Sequence, residues 1–435
     1  MPRQVKWPDN RPREYVSPFQ RGAKERNLRL TLHSEALQGG GANERRALDD
    51  LLALATLPGI EIAQTKPGIL PHLRLDPESE GWDAHEAAVW AGTNTVRHGS
   101  YRVDAKSQFP TWVAGVEAFD RPECVYLQTV RDELLLGVAH MAVRHDIFVT
   151  TSPRLLALRN NWDFLRRYQH MVGINPRLPS EAVKIVSLFQ RSRDEYRTRE
   201  FYADEVPRIT VYRSQFYLTV AYGRLPQAWR FESACGRARR PDDTYDLAKS
   251  VLLRFVRALE ARDALGILYY TPNADSIADR VVYHFDYLNL ILSGAFDALG
   301  RVAHRVYGIT SPNEFNAGLH RDDFRKALNR SGASDLDQLV SETRLQDLLF
   351  IIGRLRNTIH GTAVEARNVG GIENLNMGFI EVPDTQAPKI WARLLKLGSP
   401  EDWGAQQRTP TSSQIQNPYS LHIEPYTYAI KLETV

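Results

Sequence analysis

The sequence predicts an α+β multidomain protein, an α/β front half followed by an all-α back half. Three observations carry that division. Residues 27–37, NLRLTLHSEAL, alternate apolar and polar side chains, the two-residue period of a strand. From Asp242 onward apolar residues recur at helical spacing, every three or four positions. Between the two halves, residues 225–244 contain Gly236, Arg237, Arg239, Arg240 and Pro241, the make-up of a linker.

Composition narrows the function classes. A chain of 435 residues is long enough for two or three domains. Its apolar content of 43% and charged content of 25% are those of a globular protein. There are 55 basic and 52 acidic residues, a net charge of +3. That balance argues against coating nucleic acid and leaves room for a local basic site. Cys124 and Cys235 are too few for a disulfide scaffold or a Cys-rich zinc site, and they fit a reducing, cytoplasmic setting. No apolar run is long enough to span a membrane. The basic N-terminus has no apolar stretch after it, so residues 1–27 are expected to form an arm rather than a secretory signal.

In the front half, the strand over 27–37 is followed by a glycine-rich loop, 38–43. A helix over 44–57 is stopped by Pro58–Gly59, and a short strand is expected over 60–62. Residues 68–81, with their prolines, read as a surface loop, and 84–90 as helix. Residues 93–109 carry Arg97, His98, Arg102 and Lys106, a solvated face or the lining of a site. Residues 130–158, VRDELLLGVAHMAVRHDIFVTTSPRLLAL, read as helix, short strand and turn into a further helix. This stretch resembles the middle of a PIN-like nuclease domain, and the resemblance covers residues 28–160. In that family an acidic residue opens the helix, and Asp132 matches it. The family's later acid falls where Thr150, Thr151 and Ser152 stand, and its first strand ends on Asp where His33, Ser34 and Glu35 stand. Such nucleases hold magnesium or manganese with several carboxylates. The resemblance therefore implies a PIN-like fold without a working metal site, with a metal-dependent PIN-type nuclease as an alternative. A generic α/β domain whose Asp132 caps a helix explains the same residues.

Residues 161–241 are expected to connect the halves, mostly as helix with a break at 176–179, then a strand over 210–222 suggested by TVYRSQFYLTVAY. In the back half, Leu247, Val251, Phe255 and Leu259 form a stripe four residues apart on a helix over 244–264. Thr271–Pro272–Asn273 is a turn. A long helix over 277–307 has apolar residues on several faces and should be largely buried. It also carries Asp286, Asp297, Arg301 and His304, with Asp297 and Arg301 at the spacing of an ordinary helix pair. A shorter helix over 314–328, a turn at Gly332 and a last helix over 336–360 complete a bundle over 242–365. Residues 366–435 read as loops with a short helix over 391–397 and a terminal edge strand that returns to the front half.

The last helix ends in LLFIIGRLRNTIHG, residues 348–361. Arg354, Arg356, Asn357 and His360 are the candidate site residues. On a helix, Arg356, Asn357 and His360 fall within roughly 60° of one another, and Arg354 lies about 120° from His360. Guanidinium groups bind phosphate bidentately, and imidazole exchanges protons near neutrality. Together they suit phosphodiester cleavage without a metal or cofactor. A histidine before a glycine is equally an ordinary helix stop. The stretch resembles the signature of the HEPN superfamily, whose nucleases carry an Arg, four to six residues, then a His, the Arg often followed by a polar residue. Arg354 satisfies the spacing and Arg356–Asn357 the polar neighbour, so the catalytic arginine is open between the two. The resemblance implies a metal-independent endoribonuclease of toxin-like or antiviral-defence type that acts on RNA. It implies a homodimer formed through the helical domain, and Asp286 or Asp297 as an orienting acid. A trigger or antitoxin is left unnamed. The competing expectation is a non-catalytic HEPN-like module for nucleotide or RNA binding or for dimerisation.

Overall fold

A computed structural model gives the structure of the chain. It describes residues 17–19, 25–65, 72–76, 81–91, 95–104, 145–158, 176–199, 208–238, 243–271, 275–359, 363–368, 378–383, 385–408 and 420–434. The chain divides into two compact units. One is Met1–Arg193 with Tyr270–Pro272 and Gly371–Leu375. The other is Asp194–Tyr269 with Asn273–Gly370 and Asn376–Val435. The structure is mixed α and β, and mostly helical.

The first unit is built on a six-stranded sheet. Its central strand β1, Leu28–Leu32, is parallel to β2, Ile60–Thr65, on one side and to β6, Ile147–Val149, on the other. Short helix α1, Ser34–Gln38, and α2, Ala42–Ala55, make the crossover from β1 to β2. Helix α3, Pro153–Leu158, follows β6, and α4, Pro179–Ser192, packs against α2. Leu28, Leu30, Thr31 and Leu32 are all buried, as are Ile147, Phe148 and Val149. A parallel sheet covered on both faces produces such runs.

Beyond β2 the sheet continues as an antiparallel ribbon of β3, His72–Asp76, β4, Gly81–Ala91, and β5, Thr95–Asp104. Two expectations are corrected here: the helix over 84–90 is strand β4, and the loop over 68–81 contains β3. The polar stretch over 93–109 contains β5. The Ala-rich segment favours helix by itself, but pairing with strands on both sides outweighs that weak preference. The first strand also stops at Leu32, four residues after it begins, and Ser34 opens α1. Asp132, Lys106 and Cys124 lie outside the described residues.

In the second unit, β7, Arg197–Arg199, and β8, Arg208–Thr210, form a two-stranded ribbon. The segment expected as a strand over 210–222 is instead helix α5, Arg213–Arg224. Its Tyr217 and Ala221 are buried while Thr219, which would share their face in a strand, is exposed, so the pattern is helical. The expected linker contains helix α6, Ala228–Arg237. Then come α7, Thr244–Tyr269, and α8, Asp275–Val306, which pack along each other. A 3-10 turn at Glu314–Asn316 precedes α9, Asp322–Arg330, α10, Ser334–Val340, and α11, Thr343–Thr358.

This unit is not all-α. Strands β9, Glu365–Asn368, β10, Gly378–Val382, β11, Ala405–Arg408, and β12, Ser420–Ile423, form an antiparallel sheet in the order β11-β12-β10-β9. Helices α12, Ala387–Leu397, and α13, Pro425–Thr434, accompany it. Phe285 and Leu288 of α8 and Ile351 and Leu355 of α11 share one core with Ile380, Val382, Trp403, Ile423 and Tyr428. Strand β12 lies inside the sheet, paired on both sides, so the expected terminal edge strand is corrected. It pairs within this unit and gives way to α13, whose first N–H groups, of Tyr426 and Thr427, donate to the Glu424 carboxylate at 2.9 and 2.6 Å. Among the described residues no helix is long and apolar enough to cross a membrane.

Candidate functional site

Helix α11 carries the motif. Leu345, Leu349, Ile352 and Arg356 fall on one stripe, within about 60° around the axis. Leu345 and Leu349 pack with Ala303 and Phe324, and Ile352 packs with Leu288 and Leu292. The stripe therefore faces α8, and Arg356 continues it. Its guanidinium is half-buried, and its Nε is fully buried with no hydrogen-bond partner. Leaving a buried donor unsatisfied costs about 1–3 kcal/mol, which a water or a bound acceptor can offset.

Arg354 stands two residues earlier and so about 200° away on the helix. Its guanidinium lies over the Phe350 ring, 4.9 Å from the centroid. Arg393 of α12 lies over the same ring at 4.9 Å and pairs with the buried Asp347 carboxylate. The two candidate arginines thus occupy different surroundings, one against α8 and one against α12. Asn357 is exposed. Thr358 turns inward and donates to the Leu355 carbonyl at 2.5 Å. His360 and Gly361 lie outside the described residues.

A loop between α8 and α9 supplies further groups. It is fastened to α8 at Gly300, where a Cβ would sit 2.0 Å from the Ala317 carbonyl oxygen. Only glycine allows the backbones so close. It is fastened to α11 by Gln346, whose amide donates to the Leu319 carbonyl at 3.1 Å. His304 bonds the Pro312 carbonyl at 2.9 Å and stacks near Phe324, and Arg305 pairs with Glu314 and Asp243. These two are helix-end anchors. Arg321 donates to Asn316 Oδ1 at 2.8 Å and pairs with Asp323.

This loop brings His320 into the electrostatic neighbourhood of Arg356 and Asp297. His320 keeps contact with solvent, yet desolvation by burial is the largest cause of its lowered pKa. Arg321 and Arg356 push it down further, and Asp297 and Asp323 oppose them. The imidazole is therefore predominantly neutral near pH 7 and able to accept a proton. Asp297 and Asp286 lie eleven residues apart on one face of α8. Burial raises the Asp286 carboxyl to about 6, and its Oδ1 is buried without a partner. Asp297, not Asp286, shares surroundings with His320. The expected Asp297–Arg301 pair is absent; Arg301 lies over the Phe315 ring at 5.3 Å instead.

The C-terminal ends of β1, β2 and β6 in the first unit are the other natural place for a site. Their hydroxyls satisfy one another and the backbone, while Arg177, bridged to Val149 at the end of β6, has its Nε buried without a partner. His33 Nδ1 lies 2.9 Å from Thr150 Oγ1, and the Thr150 hydroxyl accepts from the Ser152 N–H at 3.0 Å. Ser34 donates to the Thr65 carbonyl at 2.8 Å, and Thr151 donates to the Ala36 carbonyl at 2.5 Å. Among the described residues no cluster of three or more His, Cys, Asp and Glu has the placement to hold a metal ion.

His320 is the group that sequence reasoning missed. It sits in an aperiodic loop 36 positions before Arg356, and only the tertiary fold brings the two together. Comparison of the chain with protein-family models, with curated proteins and with solved structures gives no match.

Proposed function

We propose that the helical unit is a metal-independent endoribonuclease of HEPN type. The observation that carries this reading is Arg356, a half-buried guanidinium with an unsatisfied Nε, beside a neutral imidazole and a carboxylate. A phosphate oxygen is the acceptor that such a guanidinium lacks. In the proposed reaction the ribose 2′-oxygen attacks the adjacent phosphorus as its proton passes to a base. The 5′-oxygen leaves with a proton from an acid, giving a cyclic phosphate and a 5′-hydroxyl. His360 serves one of these proton transfers, Arg356 stabilises the charge on the phosphorane, and Asn357 orients the phosphate. A homodimer through residues 242–365 would bring two motif helices to one cleft and supply a second His360. The first unit senses a trigger or positions RNA, in a toxin-like or defence role.

The test is incubation of the purified chain with total RNA, with and without EDTA. Cleavage is expected in both, and Asp132→Asn is expected to leave it intact. Cleavage abolished by EDTA and by Asp132→Asn would make the first unit a PIN-type metal nuclease. A second reading, a non-catalytic module for RNA or nucleotide binding, is favoured by the packing of Arg354 on Phe350, because Arg354 is the arginine at the family's spacing. Intact RNA under all conditions would support it.

A further inference from the structure

Phe315 is 84% exposed, the most exposed large hydrophobic side chain among the described residues. It does not hang on a loose loop. Glu314 before it is paired to Arg305 of α8, and Asn313 Oδ1 accepts from the Asn316 N–H at 3.2 Å. Ala317 after it is buried against Gly300 of α8. The backbone is pinned on both sides while the ring projects outward. Arg301 of α8 lies over it with its guanidinium 5.3 Å from the centroid.

Arg301 has no carboxylate partner among the described residues, and neither has Arg356. Of the nearby acids, Glu314 pairs with Arg305, Asp323 with Arg321 and Asp322 with Arg325, and Asp297 makes no ion pair with Arg301. Arg301 is one helical turn, about 6 Å along the axis, from Asp297. Asn316, next to Phe315, is bonded to Arg321, which adjoins His320. An aromatic ring backed by a cation thus stands on the loop that carries His320, one helical turn along α8 from Asp297.

We infer that Phe315, held by Arg301, is a stacking platform for an unpaired nucleobase, so that the site takes single-stranded RNA. The inference rests on the nucleic-acid reading of the site proposed above. Every base offers a π face, so stacking accepts a strand without reading its sequence. A paired base is already stacked on its neighbours and has no free face for the ring. The unpaired guanidinium groups provide contacts for the flanking phosphates.

The experiment measures fluorescence anisotropy of a labelled ten-nucleotide RNA carrying 2′-O-methyl groups, which blocks attack by the 2′-oxygen. A duplex of the same length is the control. The full chain is expected to bind the single strand more tightly than the duplex. Phe315→Ala should weaken single-strand binding roughly 5- to 150-fold, the equivalent of one stacked base. Phe315→Trp should retain it. The far-ultraviolet circular dichroism of both variants should match the wild type, since the ring is on the surface. Unchanged single-strand binding by Phe315→Ala would overturn the platform while leaving the nuclease reading to stand or fall on cleavage of total RNA. Equal affinity for strand and duplex would overturn it too. Loss of self-association in light scattering, with RNA binding unchanged, would make the ring a contact between copies. If the wild type bound neither RNA, the platform would fall together with its premise.

Discussion

The C-terminal ends of the parallel strands in the first unit and the pairing of α11 with α8 in the second both carry polar side chains, and they differ in what surrounds those groups. At the strand ends the hydroxyls of Ser34, Thr150 and Thr151 find partners within the fold, while Arg177, bridged to Val149, has its Nε buried without one. In the second unit, Arg356 Nε on α11 and Asp286 Oδ1 on α8 are likewise buried without any. Polarity alone does not mark a site. The informative difference is what surrounds the unsatisfied group, because a phosphate in reaction needs a charged donor and a proton acceptor together, and His320 and Asp297 stand near Arg356.

The largest expected effect breaks or upholds this contrast directly. Arg356→Ala should lower the single-turnover rate of RNA cleavage by about 100- to 1000-fold, the usual consequence of removing one donor to a transition-state anion. Thermal stability should stay the same or rise slightly, because an unsatisfied buried group is removed. A large loss of stability would show that Arg356 holds the fold together, and the contrast would fail.

Next is Gly300→Ala. Alanine ordinarily favours a helix by about 1 kcal/mol over glycine. Here its Cβ meets the Ala317 carbonyl oxygen, and overpacking of this kind costs about 1–3 kcal/mol. The variant should melt at lower temperature and cleave more slowly, because the loop with His320 is displaced. A rise in melting temperature would mean the loop yields easily and does not position His320.

Asp286→Asn sharpens the comparison through pH. The folded chain holds the Asp286 proton up to about pH 6, against an ordinary value of 3.8. The fold binds more protons than the unfolded chain between those values. Its stability contribution is therefore full at the acid end and is lost as pH rises through 6. Asparagine mimics the protonated acid, so the variant should be more stable than wild type at pH 7.5, by about 1 kcal/mol after allowance for screening of a half-buried group. The gap should close near pH 4. Melting curves across pH 4–8 measure it, and a destabilised variant at pH 7.5 would reveal a partner for the carboxylate.

The smallest effect belongs to Arg354→Ala. Loss of its contact with Phe350 should cost about 0.5–1 kcal/mol in urea unfolding. Cleavage should stay within a few-fold of wild type. Cleavage lost here and retained in Arg356→Ala would exchange the roles of the two arginines.

What the sequence made legible follows from where each signal resides. The stripe of Leu247, Val251, Phe255 and Leu259 marks α7 because its period is local, although Ala295 and Ala298 of α8, which pack with Leu247, Val251 and Phe255, are distant in the chain. Residues 84–90 mislead because β4 owes its conformation to β2, β3 and β5, none of which its own composition reveals. TVYRSQFYLTVAY misleads in the opposite sense: its β-branched and aromatic residues suggest a strand, while burial of Tyr217 and Ala221 with Thr219 exposed between them is helical. For the site, Arg354, Arg356 and Asn357 are visible as a run on one helix. Which arginine faces α8 depends on the neighbours of α11, and His320 depends on a loop anchored by Gly300 and Gln346. Contacts across such distances leave no periodic trace.

The inner position of β12 bears on how fast this unit can assemble. Helical domains usually fold quickly, since most of their contacts are between near neighbours in the chain. Here Tyr428 donates to Asn289 across 139 residues, and Arg262 pairs with Glu433 across 171. Closing such loops carries an entropic cost before any contact compensates it. The core beneath α8 and α11 therefore waits for the return of β12 and α13, and refolding from denaturant should be slow for a domain with this much helix.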